Sequence, residues 1–443
     1  VSNTNHDGKK EMPMFCNQCE QAFKSEGCST SPGVCGKNED VQGLQEMLLY
    51  GLKGMCAYAH HARRLGATDP AVDEFVERAL FSTMTNVNFD LATLFELNME
   101  CGKMNLRVME MLDEAHVANF GQPRPATVKE GTQAGPGILV TGHDMKVLAD
   151  LLAACEGTAV KVYTHGEMLP AHMYPKLADH PNLAGHFGDA WQKQRRDFKA
   201  FPGPILANTN CIVIPHEQYA GRVFTLPPVA VPEGKLIENE DYAPVVEMAL
   251  ECEPLVDDIV TESTVGFHHS VIATQLPALL EAVQAGDLRH VYLIGGCDGA
   301  EAGRNYFTEY AESVPDDCFI LTLGCGKYRI RNHDYGTLLG LPRLLDMGQC
   351  NDAYGAIRVA AALAEAVGAT VNDLPLTLVV SWFEQKAVAV LLTLLHLGIK
   401  GITLGPKPPA FVTPNLFAIL QEKFDLRLIG EDAKADCEAA LVG

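Results

Sequence analysis

Four cysteines crowd the N-terminal stretch MFCNQCEQAFKSEGCSTSPGVCGK: Cys16, Cys19, Cys28 and Cys35, spaced C-x2-C-x8-C-x6-C. Thiolates this close together, in a loop folded by Gly27, Pro32 and Gly33, can close around an iron–sulfur cube or a tetrahedral zinc ion. Structural zinc sites favour two C-x2-C pairs. Only one such pair is present here, so the spacing favours a [4Fe-4S] cluster.

A second set of reactive side chains is scattered through the rest of the chain. Two apolar runs, HVYLIGG and CFILTLG, each stop at a cysteine, Cys297 or Cys325. Such short β-branched runs read as buried parallel strands, and the glycines beside the thiols let backbone approach something bulky. The habit recurs. GILVTG (137–142) leads to His143, AVKVY (159–163) to Glu167, and GPILANTN (203–210) to Cys211. LPLTLVVSWFEQK (374–386) carries Glu384, and Cys350 stands in the loop DMGQCNDAYG at an expected helix start. In doubly wound α/β folds ligands gather outside the carboxyl ends of strands. One cysteine or histidine at such a place is ordinary packing, but a whole set of them points to one site. Thiolates suit sulfide-bridged iron, whereas carboxylate and imidazole suit harder iron that binds oxygen or nitrogen ligands. A cluster with a Cys-ligated half and a His/Glu-ligated half could store electrons in one part and bind substrate at the other.

These residues need a scaffold. Leu44, Met47, Leu48, Gly51, Leu52, Met55 and Ala59 recur at helical spacing, a second helix follows Thr68-Asp69-Pro70, and a third runs from about Asp90 to Ala118. Residues 121–137, GQPRPATVKEGTQAGPG, read as a linker. Beyond it strands and helices alternate, which argues for parallel sheets with right-handed crossovers. The expected fold class is α/β with an N-terminal helical domain: one helical bundle (1–136) and two Rossmann-like parallel-sheet domains (137–270 and 271–443). No G-x-G-x-x-G or P-loop follows any strand, so a nucleotide is not the expected ligand.

The composition, 443 residues with 47% apolar content and a net charge of −22, fits large cores and argues against nucleic acid. The N-terminal VSNTNHDGKKE has no signal-type apolar core, and Ala387–Gly398 is apolar for only about twelve residues, so no membrane span and a cytoplasmic location are expected. Fourteen cysteines in such a chain suit metal or redox chemistry better than disulfides. Cys56, Cys101, Cys155, Cys252, Cys318 and Cys437 lie among helical or strand neighbours and read as structural.

MFCNQCEQ, GVCGK, VTGHDM, YTHGEMLPAH, NTNCIVIP, GGCDGAE, TLGCGKYR, LLDMGQCNDAYG and SWFEQKAV together resemble the hybrid cluster protein (prismane) family, whose members are described as hydroxylamine reductases. The resemblance covers nearly the whole chain. It implies a proximal [4Fe-4S] cluster at Cys16, Cys19, Cys28 and Cys35. It also implies a hybrid [4Fe-2O-2S] cluster held by His143, Glu167, Cys211, Cys297, Cys325, Cys350 and Glu384, with a persulfide on Cys297 and Lys386 close enough to supply charge or a proton. Glu384, Lys386, His143, Glu167 and Cys297 are the implied catalytic set. The implied partners are a small substrate, hydroxylamine or nitric oxide, and an electron-donor redox protein.

Two departures bear on these expectations. The x6 spacing between Cys28 and Cys35 is one longer than the commonest family pattern, which leaves [2Fe-2S] open beside [4Fe-4S]. The segment from Cys35 to His143 is too short for two helical bundles, so the chain resembles a short class lacking one. The apolar surface thereby uncovered predicts a homodimer. Nitric oxide reduction to nitrous oxide, a carbon monoxide dehydrogenase reaction and non-enzymatic nitrosyl transfer or sensing at Cys297 are the rival readings. His165 and His172 are expected to be hydrogen-bonded structural residues, Asn210 to orient the Cys211 loop, and Trp382 to pack.

Overall fold

The computed structural model describes residues 14–22 and 26–441. The N-terminal stretch VSNTNHDGKKE, read above for its lack of an apolar core, lies outside them.

The chain opens with the four-cysteine loop and then three helices, α1 (Glu39–Arg64), α2 (Pro70–Ser82) and α3 (Leu91–Phe120). Each has an N-cap side chain that satisfies a free amide of its first turn: Asn38 accepts from Val41, Asp69 from Ala71 and Asp90 from Thr93. The apolar stripe of α1, with Leu48, Leu52 and Met55, packs on that of α3, with Cys101, Val108 and Leu112. A helix from the far end of the chain, Gln385–His396, joins the same core through Val388 and Leu392. Burying each such side chain stabilises by roughly 1.5–3 kcal/mol. Gly54 permits the closest approach, since a Cβ there would lie 2.5 Å from the Gln385 carbonyl oxygen and 2.8 Å from the Lys386 Cα.

The first sheet contains β1 (Ala126–Thr132), β2 (Gly137–Thr141), β3 (Lys161–His165), β4 (Leu183–His186), β5 (Ile205–Ala207), β6 (Val223–Thr225), β7 (Lys235–Leu236) and β8 (Asp258–Val265). Their order is β7-β6-β5-β2-β3-β4-β1-β8, with β8 alone antiparallel to its neighbour. The second sheet is built from β9 (His290–Gly296), β10 (Cys318–Thr322), β13 (Leu344–Asp346), β14 (Leu376–Ser381), β15 (Thr403–Gly405) and β16 (Arg427–Leu428), after a small hairpin of β11 (Thr337–Leu338) and β12 (Leu341–Pro342). It is parallel throughout in the order β13-β10-β9-β14-β15-β16. The fold class is therefore the expected one: an N-terminal set of helices and two largely parallel sheets.

One expectation is corrected. Residues 121–137 are not simply a linker, because β1 lies inside them and pairs with both β4 and β8, burying Val128. The Pro and Gly residues that suggested a linker flank the strand, and its polar, alternating face belongs near a sheet edge. Among the described residues no helix is long and apolar enough to cross a membrane.

Candidate metal centres

Strand order decides where the second set of residues meets. In the first sheet the chain runs outward from β2 through β3 to β4, then returns to the other side of β2 at β5. In the second it runs from β9 to β10 and β13, then returns to the other side of β9 at β14. Each reversal opens a crevice at the carboxyl ends of two adjacent strands. His143 follows β2 and Cys211 follows β5, while Cys297 follows β9 and Glu384 follows β14. Glu167, Cys325 and Cys350 follow the flanking strands β3, β10 and β13. Gly296 lets β9 and β14 close on each other, since a Cβ there would fall 2.0 Å from the Ser381 carbonyl oxygen.

Hydrogen bonds tie the two crevices into one. His143 Nδ1 is held at 2.8 Å by Thr209 Oγ1, and its backbone amide donates to Asn208 Oδ1. This leaves Nε2 directed at Lys386 Nζ (2.8 Å) and Glu167 Oε2 (4.0 Å). Fixing one imidazole nitrogen so that the other faces a site is how proteins orient a ligating histidine. Glu167 Oε2 accepts from the Cys350 amide at 2.9 Å, while its Oε1 is buried without a hydrogen-bond partner. The Gln349 side-chain amide bridges the carbonyls of His143 and Glu167 at 3.1 and 2.7 Å. Asn210 reaches both Cys211 Sγ and Glu384 Oε2 at 3.4 Å, across the two sheets. One ligand-capable atom each from His143, Glu167 and Cys350 lies within 4.8 Å of the other two. Cys211 has a φ of 67°, a strained backbone for a residue with a side chain and a frequent mark of functional sites.

The electrostatics suit a bound cation. Burial pushes the thiols of Cys211, Cys297 and Cys325 well up and that of Cys350 to about 12. Burial also raises the Glu167 carboxyl, against the charges of Lys327 and Lys386, and lowers the His143 imidazole. Left to protons, the thiols are neutral; a soft cation would replace those protons and bind the thiolates. Lys386 is buried, which by itself lowers it, yet it is held above its ordinary value by the negative charge that Cys350, Cys211, Glu384 and Glu167 carry when ionised. An orphaned carboxylate oxygen, converging thiols and an oriented imidazole fit a mixed sulfur and oxygen cluster.

The N-terminal set is built differently. Met14 O accepts from the amides of both Cys16 and Cys28, at 2.7 and 2.9 Å, pinning the two ends of the loop together. A Cβ on Gly33 would sit 3.4 Å from the sulfurs of both Cys28 and Cys35, so glycine keeps a space between them clear. Cys16 and Cys28 are buried, Cys35 is half-buried and Cys19 is exposed. Four thiols around one small loop fit an iron–sulfur cluster near the protein surface.

The other polar side chains of these motifs are hydrogen-bonded. His165 bonds Thr141 and Asp197, and His172 bonds Thr164. Trp382 donates its indole N–H to the Lys407 carbonyl. Sequence reasoning missed Thr209 and Gln349, although both stand beside named ligands in NTNC and GQC. It also missed Tyr58, whose ring lies 6.0 Å from Lys386 Nζ.

The Prismane/CO dehydrogenase family model matches residues 14–97 and 90–436. A hydroxylamine reductase of Moorella thermoacetica is 56% identical over 94% of this chain and 97% of its own length. One from Geobacter sulfurreducens is 41% identical over 97% of this chain and 100% of its own. In fold, a carbon monoxide dehydrogenase of Thermococcus sp. AM4 superposes with a TM-score of 0.79 at 16% identity, over 97% of this chain and 90% of that one. Carbon Monoxide Dehydrogenase IV of Carboxydothermus hydrogenoformans gives 0.78 at 15%, over 97% and 92%. The chain thus belongs to the Prismane/CO dehydrogenase family, and within it to the hybrid cluster proteins that its motifs resemble.

Proposed function

We propose that the protein is an iron–sulfur oxidoreductase that reduces hydroxylamine to ammonia and water, NH2OH + 2 e− + 2 H+ → NH3 + H2O. The observation that carries this reading is the meeting of four thiols, two carboxylates, one imidazole and a buried lysine at the facing switch points of two sheets. The naming of relatives as hydroxylamine reductases supports the same reaction. His143, Glu167, Cys211, Cys297, Cys325, Cys350 and Glu384 would hold the hybrid [4Fe-2O-2S] cluster, with Cys297 the candidate for a persulfide. Once bound, that cluster would supply the electrons and the iron that takes up the substrate.

The chain's own residues do the rest. An apolar cavity of about 250 Å³ is bordered by Cys297, Cys350 and Glu384 at the site and by Leu391, Leu394 and Ile399 away from it. Such walls exclude ions and bulk water and admit a small neutral molecule. Lys386 Nζ lies 2.8 Å from His143 Nε2 and is the group proposed to protonate the departing oxygen. Glu167, Glu384 and His143 are the other titratable groups of the site, and each would carry a proton only when not bound to the cluster.

In this reading Cys16, Cys19, Cys28 and Cys35 hold the relay cluster, [4Fe-4S] or [2Fe-2S], which accepts electrons from a donor redox protein. The three units follow the expected 1–136, 137–270 and 271–443 except that β1, within the first range, belongs to the first sheet, and the protein works in the cytoplasm as a homodimer. Exposed Phe81 at the end of α2, with Met84, Val87 and Phe89 in the connection to α3, are apolar side chains that a second copy would cover. Light scattering checks that point, and a monomer at micromolar concentration rules it out.

Steady-state turnover of hydroxylamine, nitric oxide and carbon monoxide with a reduced dye tests the reaction. Ammonia formed from hydroxylamine supports it. Turnover of nitric oxide or carbon monoxide alone, or no turnover with stoichiometric nitrosylation of Cys297, replaces it with the corresponding rival.

A further inference from the structure

Lys37 closes the GVCGK run beside the N-terminal cysteines, and its side chain is fully buried although it belongs to a loop. Nζ donates to Gln42 Oε1 at 2.8 Å and Gln45 Oε1 at 2.7 Å, both on the first turns of α1, and lies 3.9 Å from Cys16 Sγ. The two glutamines are themselves buried. Their amide nitrogens are committed elsewhere, that of Gln42 to Glu46 Oε1 and that of Gln45 to the Asn88 carbonyl. Their oxygens are thereby fixed toward the lysine.

The polar neighbours of this buried ammonium are thus two neutral amides and one sulfur. Glu46, hydrogen-bonded to Gln42, lies near enough to feel the Lys37 charge but forms no ion pair with it among the described residues. A buried cation among neutral groups is costly unless a counter-charge lies close. Two of the three ammonium protons are taken by the amides, and the third is left for the Cys16 side. Four thiolates around a cluster carry net negative charge, and one more unit of it when the cluster is reduced.

We infer that Lys37 is the built-in counter-ion of the N-terminal cluster, favouring its reduced form through a fixed positive charge and an N–H directed at Cys16 Sγ. The inference rests on the reading of Cys16, Cys19, Cys28 and Cys35 as cluster ligands. Net charge and hydrogen bonds to sulfur are among the factors that set the potentials of such clusters. Lys37 touches neither substrate nor the second centre, so it acts as a positioning residue on electron supply.

The test is an EPR-monitored redox titration of the anaerobically purified full chain and its Lys37→Met, Lys37→Gln and Lys37→Arg variants. The neutral variants are expected to make reduction of the N-terminal cluster at least tenfold less favourable, a fall of about 59 mV for one electron. Lys37→Arg should restore most of the shift, and the second centre should titrate unchanged in all of them. Neutral variants that assemble the cluster and keep the wild-type potential overturn the inference. Failure of both neutral variants to hold iron while Lys37→Arg does so supports it, whereas loss in all three makes Lys37 a packing residue and overturns it. If iron analysis finds no N-terminal cluster in the wild type, the reading of the four cysteines fails and the inference falls with it.

Discussion

The two cysteine-bearing regions, as proposed metal centres, are built in opposite ways. The N-terminal loop gathers its four thiols from one short stretch and leaves Cys19 exposed. The proposed second centre would draw single residues from seven strand ends on two sheets; His143, Glu167, Cys297, Cys325 and Lys386 are buried, and Cys211, Cys350 and Glu384 are half-buried. A loop site is set by local spacing and can vary with little effect on the rest of the fold. A site made from two topological switch points exists only when both sheets and the helix Gln385–His396 are in register. In the proposed reading, exposure would suit electron transfer at the first, and exclusion of water would suit bond cleavage at the second.

This contrast can be broken most strongly at Lys386. Lys386→Met should leave the N-terminal EPR signal and iron content unchanged while lowering hydroxylamine turnover by about 10²–10⁴-fold, the usual contribution of a positioned acid. Turnover within a few-fold of wild type would remove Lys386 from the chemistry. Thr209→Val takes away the group that fixes His143 Nδ1. A loss of roughly 10–100-fold in activity or in metal retention at the second centre is expected, again without change at the loop, and is read by kinetics and iron analysis.

Gly54→Val probes the same asymmetry through packing. The added side chain would meet the Gln385 carbonyl and the start of the helix that carries Lys386. Thermal unfolding should show a cost of about 1–3 kcal/mol, the range for overpacking, with turnover reduced and the N-terminal signal retained. Equal damage to both signals would mean that the two regions are not independent.

The smallest effect concerns pH. Burial, with help from the Arg289 charge, lowers the His290 imidazole to about 4 at the amino end of β9, away from both centres. An unfolded histidine titrates near 6.5, so the folded chain binds fewer protons between these values. The contribution of His290 is complete above about pH 6.5 and is lost as pH falls toward 4. His290→Asn should flatten the fall in unfolding temperature across that window, and an unchanged slope would show that other groups carry it.

Much of the proposed second centre was legible because most of its residues follow closely on an apolar run, whereas Cys350 stands in a loop. Strand order, not spacing, then brings His143 beside Cys211 and Cys297 beside Glu384, and a linear sequence does not display that order. The bridges Gln349 and Asn210 make are long-range, so residue type alone could not reveal them. β1 was hidden by the Pro and Gly residues on either side of it. Lys37 was hidden for another reason: lysine is ordinarily exposed, and only the packing of α1 against the loop shows that this one is not.

The central claim is that one chain carries two distinct metal centres, one local and one assembled by the fold. Anaerobic iron and sulfide analysis combined with EPR of the reduced protein addresses it directly. Two separate cluster signals, with Cys28→Ser removing one and Cys325→Ser the other, are the result this account predicts. A single signal abolished by either substitution, or an iron-free protein from an oxygen-free preparation, would contradict it.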